Sequence, residues 1–533
     1  MVREVGHKLS RAWPCGNRAQ TSRNPLVQKG TIQRDSVRHS NFLALLLLGA
    51  LSLEALAEST SVPRTWDEAA LAEWATPVAG LNVRPGHFSA AEYYRAPVDN
   101  LRTYPVYYPG REPAGYWEML QSVGPKPLIG PGPRSSDAEW ARDGKRVFEE
   151  WDVPGVRVFD PQAIAAARRP ETFALARVRA RADGTLPDLR WVPTGKGMAL
   201  GLVNCASCHT RQMNDGTLLH GAPPTEDASP FGPFKMAPWA VSPVSLGDEP
   251  PGLMNWRAFG VPWIADDVHA PLKTMTPPQL GPLLRGAFAV GLFPRWNGSN
   301  FYPTKIPDLI GIKDRKYIDH TATHQHRGPG DVMRYAALVT YSDASDFGPH
   351  HMLSDAQRTV PMRAPDELLY ALAQYLYALK PPANPHTSDP RIPAGQQIFA
   401  REGCGSCHTA PLYTNNKLTL AEGFTPAADD PRALDILRVS VGTDPGLALR
   451  TRKGTGFYKV PSLKGVWYRG RYLHDGAVTS LEEMFNAARL NDDFVPTGFI
   501  PPGQKARAVK GHEFGLRLSP AEKGELLAFL RTL

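Results

Sequence analysis

Two stretches of the chain place apolar residues with the period of an α-helix, and each lies ahead of a pair of cysteines. Residues 135–153, "SSDAEWARDGKRVFEEWDV", carry apolar side chains three to four positions apart on a charged background. This spacing predicts an amphipathic helix. In "PAGQQIFAREGC", Ile398 and Phe399 stand one turn before Gly403 and predict a second helix of the same kind. We name these the first and second leading helix.

Two further apolar segments predict a closing helix in each half of the chain. The first, "DELLYALAQYLYALK", stops at Pro381-Pro382, and the second is "SPAEKGELLAFLRTL" at the end of the chain. Ser519 and Glu522 have the spacing of a capping box, and Pro520 stands at the first helical position. These signals place the start of the second closing helix at Ser519.

A similar element precedes each closing helix. "KIPDLIGIKDRKYIDH" (residues 305–320) and "KVPSLKGVWYRGRYLHDG" (residues 459–476) share Lys, Pro, Leu and Gly at matched positions. Both continue with Arg and then, after a one-residue gap, with Tyr-Ile or Tyr-Leu. We name them the first and second Lys-x-Pro element.

Between leading helix and Lys-x-Pro element, each half contains the pattern Cys-x-x-Cys-His. The residues are Cys205, Cys208 and His209 in "GLVNCASCHT", and Cys404, Cys407 and His408 in "REGCGSCHTA". This pattern is typical of covalent haem c attachment, in which two thiols bond to the haem edge and the histidine ligates the iron. A shared zinc site or disulfides are the alternatives, but zinc does not need a histidine directly behind each pair. The sequence therefore predicts two covalently bound haems c.

The order leading helix, cysteine motif, Lys-x-Pro element, closing helix occurs twice and predicts an internal duplication of one haem-binding unit. We expect a mainly α fold of two tandem c-type cytochrome domains with long irregular insertions. The expected organisation is an N-terminal extension and signal peptide over residues 1–57, a first haem domain over 58–385 and a second over 386–533, joined through a linker at 380–395.

The two halves differ in the length between haem motif and Lys-x-Pro element. His209 and Lys305 lie 96 positions apart, but His408 and Lys459 lie only 51 apart. The additional residues around the first motif are rich in Trp, Pro and Gly. Such an insertion is either decoration or the wall of a pocket over the first haem.

Charge narrows the classes of partner. The 533-residue chain has a formal net charge of +8, but residues 1–57 alone hold eight Lys and Arg against three Asp and Glu. The remaining +3 and the absence of basic runs with interleaved aromatic residues argue against a nucleic-acid partner.

The N-terminal region resembles an export signal. An apolar run over residues 42–53, "FLALLLLGALSL", leads into Ala55-Leu56-Ala57, which has the small-x-small form of a signal-peptidase site. We expect cleavage after Ala57 and a periplasmic or secreted protein. The alternative is a retained anchor, although 12 residues are short for a bilayer span of about 20. Residues 1–33 have no assigned role.

With these motifs and with "VPSLKGVWYRGRYLHDGAVTSLEEMF", the chain from about residue 135 resembles the dihaem cytochrome c peroxidase superfamily. "DRKYIDHTATHQHRGPGDVMRYAALVTY" and "KGHEFGLRLSPAEKGELLAFLRTL" are most similar to the branch with dihaem rubber oxygenases and fatty-acid dioxygenases. The resemblance implies one six-coordinate haem for electron transfer and one haem open to hydrogen peroxide or dioxygen. It implies that His209 holds the reactive haem and His408 the electron-transfer haem.

The sixth ligand of the second haem departs from the family pattern. Peroxidase relatives supply Met or Tyr one turn beyond Met484, but that position is Ala488, which cannot ligate iron. Three candidates remain. His512 in "KGHEFG" is the expected ligand and would give a bis-His haem of low potential; His474 and Met484 are the alternatives.

Several other residues invite a role without a motif that assigns one. Trp296 is either the aromatic residue that relatives place between the haems or a core tryptophan. The histidines of "DHTATHQH" are expected to contact haem propionates or solvent, with a separate metal site as the alternative; they are His320, His324 and His326. No motif identifies the catalytic acid–base residue, and calcium is possible for the class but unsupported by the sequence.

The sequence thus favours an exported dihaem c-type oxidoreductase that uses hydrogen peroxide or dioxygen at one open haem. A small redox protein or an organic compound would be its second substrate. The alternative is a periplasmic electron-transfer cytochrome without catalytic activity; a haem sensor would need an output domain, which the sequence does not suggest. The sequence does not distinguish a peroxidase from an oxygenase, and it does not indicate an oligomeric state.

Overall fold

Helices and several small sheets of short strands surround both cysteine motifs. The computed structural model describes residues 62–73, 78–80, 83, 85–175, 180–224, 250–294, 297–340, 345–347, 350 and 362–533. The signal peptide predicted within residues 1–57 and the candidate Trp296 lie outside the described residues.

The described helices are spread along the chain. They are α1 Glu68–Ala72, α2 Ala90–Arg95, α3 Tyr116–Ser122, α4 Asp137–Glu150, α5 Pro161–Ala166, α6 Pro170–Leu175, α7 Cys205–Cys208, α8 Pro251–Phe259, α9 Pro277–Ala287, α10 Pro329–Thr340, α11 Asp366–Ala378, α12 Ile392–Arg401, α13 Gly446–Leu449, α14 Val466–Arg469, α15 Leu481–Met484 and α16 Pro520–Leu530. Short 3-10 turns cover Val78–Gly80, Pro154–Val156, Ala270–Thr274, Ile312–Asp314, Cys404–Ser406 and Ala487–Leu490.

The strands are short and form small separate sheets. They are β1 Pro85–His87, β2 Tyr104–Tyr107, β3 Thr185–Thr194, β4 Gly197–Gly201, β5 Thr210–Gln212, β6 Leu218–His220, β7 Leu292–Phe293, β8 Thr304–Lys305, β9 Ser345–Phe347, β10 Leu418–Leu420, β11 Ile436–Ser440 and β12 Phe457–Lys459. The antiparallel sheet β2-β3-β4 and the mixed sheet β11-β10-β12 have three strands, and the pairs β1-β9, β5-β6 and β7-β8 have two.

The prediction of a mainly α fold was therefore too strong. The segments around the haem motifs are rich in aromatic and branched residues, as in "YPVY" and "TLPDLRWVPT", and such residues favour extended structure. The predicted linker was also too long, because the second leading helix already begins at Ile392, with Pro393 in its first turn.

The first leading helix, α4, forms as its sequence predicts. Ser136 caps it by accepting a hydrogen bond from the Glu139 amide, and the side chains of Trp140, Val147 and Phe148 are buried. This face packs across the first closing helix, α11. The two helices approach so closely that a methyl group on Gly144 would overlap the main-chain carbonyl of Ala371.

The second pair of helices repeats this crossing. Ile398 and Phe399 of α12 are buried against α16, which begins with the predicted Ser519–Glu522 capping box. A methyl group on Gly395 would overlap the carbonyl of Glu525. Gly395 precedes Ile398 and Phe399 by three and four positions. Gly144 precedes Val147 and Phe148 by the same distances.

Residues 62–533 form one compact unit. Its largest apolar core surrounds α4 and α11, and a second core surrounds α12 and α16. Among the described helices, none is long and apolar enough to cross a bilayer.

Two candidate haem-binding centres

The first motif opens a short capped helix. The Asn204 side chain accepts a hydrogen bond from the Ser207 amide, and the Asn204 amide donates one to the Ser207 hydroxyl, which starts α7 at Cys205. His209 follows directly, and its Nδ1 lies 3.1 Å from the carbonyl oxygen of Pro307. The ring is therefore held from the Lys-x-Pro element and directs its other nitrogen, Nε2, away from that carbonyl.

The second motif has the same arrangement. Gly403, with φ of +72°, turns the chain into the Cys404–Ser406 turn. His408 Nδ1 lies 3.1 Å from the carbonyl oxygen of Pro461 and 3.2 Å from that of Tyr413. Pro461 is the counterpart of Pro307 in the second Lys-x-Pro element.

A backbone carbonyl at Nδ1 is the usual support of a metal-ligating histidine, since it fixes the tautomer and leaves Nε2 for the metal. Cys205, Cys404 and Cys407 are free thiols, which argues against a disulfide within either motif. Burial raises the pKa of Cys205 to about 12 and that of Cys404 to about 11. Among the described residues no group of three or more His, Cys, Asp and Glu side chains could hold a metal ion, so no zinc site forms there. The donors present fit haem c.

A cavity of about 240 Å³ adjoins the second motif. Its walls are mostly apolar and include the motif residues, all three candidate sixth ligands and two lysines: Cys404, Cys407, His408, His474, Met484, His512, Lys305 and Lys459. The sequence therefore named residues that the fold does bring together.

Of the three candidates, His512 lies at the distance from His408 that is expected for two ligands of one metal ion. Its ring centre lies 6.3 Å from that of His408, with 57° between the ring planes. A metal–nitrogen bond of about 2 Å and about 1 Å from nitrogen to ring centre place two trans imidazole centres about 6 Å apart. The two rings are thus spaced to hold one iron between them.

His474 and Met484 have other contacts. The His474 ring stacks on Tyr458 with centres 4.4 Å apart, and its Nε2 lies 3.3 Å from the Tyr458 hydroxyl. Met484 packs in the apolar core of the second half. Ala488 lies in a 3-10 turn after α15 and contributes no donor atom.

A buried arginine fixes the loop of His512. Arg489 is 0 % exposed and donates from Nη2 to the carbonyls of Gly511 and His512, both at 2.9 Å, and from Nη1 to that of Val509. Its Nε donates to the Met484 carbonyl at 3.0 Å. The loop needs this support because His512 itself adopts a φ of +50°, which is unfavourable for a residue with a Cβ. Sequence reasoning missed Arg489, since no motif marks it.

The aromatic residues behind the two motifs differ in polarity. In the second half, Phe399, Tyr413 and Phe529 form an edge-to-face cluster. In the first half, Phe148 packs on His220 and Tyr375. The Nδ1 of His220 lies 2.6 Å from the hydroxyl of Tyr375. The first motif thus has a hydrogen-bonded His–Tyr pair beside it, next to a polar cavity of about 310 Å³.

The insertion contains a buried polar group that the sequence analysis did not single out. His269 is 0 % exposed, and its Nδ1 lies 2.8 Å from Asp267, which also accepts from Trp256 Nε1 at 3.1 Å. Burial alone would raise the pKa of Asp267, but the hydrogen bonds from His269 and Trp256 bring it to about 2. Residues 225–249 of the insertion lie outside the described part of the chain.

The three clustered histidines do not converge on one point. His320 Nε2 lies 2.8 Å from the Lys305 carbonyl, and His326 lies between the Arg315 carbonyl and the Tyr377 hydroxyl. His324 lies 3.4 Å from Asp319. Within the described residues this geometry gives no support to a separate metal site. His320 lines the cavity of the second centre, where the sequence analysis expected contacts to haem propionates.

Comparison with known proteins supports a peroxidase-like class. No family model matches the chain. The cytochrome-c peroxidase IdrP1 of Pseudomonas sp. (strain SCT) is 29% identical over 158 residues, which cover 26% of this chain. The chain spans only 38% of the length of that relative. This match confirms the resemblance to the dihaem cytochrome c peroxidase superfamily.

Solved structures give weaker similarity. The dihaem peroxidase BthA of Burkholderia thailandensis is 18% identical, with a TM-score of 0.24 over 43% of this chain and 71% of that protein. A MauG-like protein associated with microbial copper homeostasis is 16% identical, with a TM-score of 0.28 over 47% of this chain and 79% of that protein. Hydrazine synthase of Kuenenia stuttgartiensis is 16% identical, with a TM-score of 0.25 over 43% and 72%.

Proposed function

We propose that the chain is an exported dihaem c-type oxidoreductase that uses hydrogen peroxide or dioxygen. Cys205, Cys208 and His209 would hold the reactive haem; Cys404, Cys407, His408 and His512 would hold the electron-transfer haem. When bound, haem c supplies an iron that exchanges single electrons and that binds small oxidants where an axial position is open.

The facing pair of His408 and His512 carries the proposal. Two imidazoles with this spacing would both ligate the iron of the second haem when it is bound, and that haem would then offer no open position to a substrate. The chemistry with the oxidant then falls to the first centre, which also has the longer insertion. The described part of that insertion holds the buried His269, hydrogen-bonded to Asp267, a polar pair that an electron carrier does not need.

Matched contacts support the predicted duplication of the haem-binding unit. Arg315 donates to the main-chain carbonyls of Asp308 and Ile310, and Arg469 donates to those of Ser462 and Lys464, the corresponding positions of the second Lys-x-Pro element. Both elements also offer a proline carbonyl to the motif histidine.

The choice of oxidant rests on two opposing observations. The name of the similar curated protein favours hydrogen peroxide. A bis-His haem favours dioxygen and the oxygenase branch, because its low potential makes it a poor store for an electron awaiting peroxide.

Optical spectra of the purified protein test the assignment of roles. We expect a high-spin component and carbon monoxide binding at the haem of Cys205 and Cys208. The Cys205→Ser variant should lose that haem and all binding of carbon monoxide, whereas Cys404→Ser should lose the other haem and retain binding. Two low-spin haems that ignore carbon monoxide would instead identify an electron-transfer cytochrome.

Export is tested on the mature protein. Mass spectrometry should find Glu58 at the N-terminus and the added mass of two haems. A protein that retains residues 42–57 would be anchored rather than released.

A further inference from the structure

A second, smaller cavity of about 50 Å³ lies between the supports of the two motif histidines. Its walls include Pro307 and Pro461, whose carbonyls contact His209 and His408. It shares Lys305 and Lys459 with the larger cavity of the second centre. The two cavities are therefore neighbours, and both lysines stand at their common wall.

The small cavity is strongly cationic. Its walls carry four basic side chains, Lys305, Arg315, Lys459 and Arg469, against a single carboxylate, Asp308. That carboxylate is already engaged, because it accepts from Arg469 Nε at 2.9 Å and from the Tyr468 hydroxyl at 3.1 Å. Asp308 and Asp475 act on Lys305, and Asp319 acts on Lys459, but the hydrogen bonds of both ammonium groups go to main-chain carbonyls.

The lysines bond only to main-chain oxygens. Lys305 Nζ donates to the Arg471 carbonyl at 3.1 Å, and Lys459 Nζ donates to the carbonyls of Tyr317 and Ile318 at 3.1 and 2.8 Å. Burial, reinforced by the neighbouring cations, lowers the pKa of each lysine to about 7. Enclosed ammonium groups of this kind are stabilised by an anion.

We propose that Lys305 and Lys459 form a carboxylate-binding site that receives the propionate groups of the haem in the second centre. The inference rests on the proposed function, since it requires haem to be bound at Cys404 and Cys407. Haem propionates are ionised carboxylates, the kind of anion that ammonium groups bind by charge-assisted hydrogen bonds. A small inorganic anion has the same chemistry and is separated by the experiment below.

The site also connects the two centres. Lys305 belongs to the first Lys-x-Pro element, two residues before the carbonyl that supports His209, yet it lines the cavity of the second centre. Its amide donates to the His474 carbonyl at 2.8 Å, and the Lys459 amide donates to the His320 carbonyl at 3.1 Å. The charge that faces the second haem is thus carried on the segment that positions the axial histidine of the first.

The midpoint potential of the second haem tests this site. Lys305→Met and Lys459→Met should each lower it, because a nearby positive charge stabilises the reduced iron, which has gained an electron. We expect a loss of about tenfold in the reduction equilibrium constant, which is about 59 mV for one electron. Lys464→Met is the control, since Lys464 is exposed on the same element; it should change the constant by less than about twofold.

Spectroelectrochemical titration of the full-length, haem-loaded protein gives both potentials, and mass spectrometry verifies two haems in each variant. Lys459→Arg, which keeps the charge, should retain the wild-type potential and serves if the Met variants fail to fold. An unchanged potential in Lys305→Met and Lys459→Met, with two haems present, would overturn the inference alone. A wild-type protein without haem would overturn the proposed function. A wild-type potential that follows added chloride or phosphate, and loses this response in the lysine variants, would assign the site to a free anion and overturn the propionate assignment.

Discussion

Arg489 should be the residue on which the ligand loop of the second centre depends. Its guanidinium is 0 % exposed and donates to four main-chain carbonyls, three of them in the loop that ends at His512. A hydrogen bond from a charged donor contributes about 1.5–3 kcal/mol, and an acceptor left unpaired in the interior costs about 1–3 kcal/mol. Two of the four bonds share one nitrogen, so their contributions do not add. We expect Arg489→Met to lower the free energy of unfolding by about 3–5 kcal/mol.

Denaturant unfolding of the haem-loaded protein measures this loss, and the spin state of the second haem gives an independent readout. The variant should show a high-spin fraction, because the carbonyls of Gly511 and His512 lose their donor and the loop no longer holds the imidazole opposite His408. Arg517→Met is the matched control: Arg517 is exposed in the same segment, and its loss should matter by less than about 0.5 kcal/mol. Equal stability of the two variants, together with a fully low-spin second haem, would refute the argument.

Two further predictions concern the ligand and the helix crossing. His512→Ala should make the second haem high-spin and open to carbon monoxide, whereas His474→Ala should leave its spin state mostly intact; a low-spin haem in the His512 variant would show that another residue is the ligand. Gly395→Ala should destabilise the protein by about 1–3 kcal/mol because its methyl group meets the facing main chain. Gly524→Ala, in the partner helix with only an arginine terminus nearby, should instead gain up to about 1 kcal/mol from helix propensity, as thermal unfolding would show.

Features that depend on residues close together in the sequence were predicted correctly. The capping box at Ser519 and the amphipathic helix after Ser136 depend on contacts between near neighbours in the sequence, and both form as predicted. The choice of His512 over Met484 depended on the missing ligand at Ala488; the His512 and His408 ring centres lie 6.3 Å apart, and the ligand assignment stays a prediction.

Features that depend on contacts between distant segments were not predictable. Arg489 reaches carbonyls 20 to 23 positions away, and nothing in its neighbourhood distinguishes it from a surface arginine. The cationic cavity arises because the two Lys-x-Pro elements, some 150 positions apart, bring their lysines to one wall. The short strands escaped prediction for a related reason: each has two to ten residues and is stabilised by a partner strand rather than by its own pattern.

The crossed hydrogen bonds of the two lysines have a consequence for how the two Lys-x-Pro elements stay paired. The Lys305 amide bonds to the carbonyl of His474 in the second element, and the Lys459 amide bonds to that of His320 in the first. In a homodimer, such reciprocity between identical surfaces is called an isologous interface, and it belongs to a two-fold axis. Two separate copies of the unit would meet in this way only as fast and as often as their concentration allowed, whereas a tether makes the encounter intramolecular. Within one chain the two elements therefore stay paired at any protein concentration, and each centre can have its own ligand set and insertion length without loss of this contact.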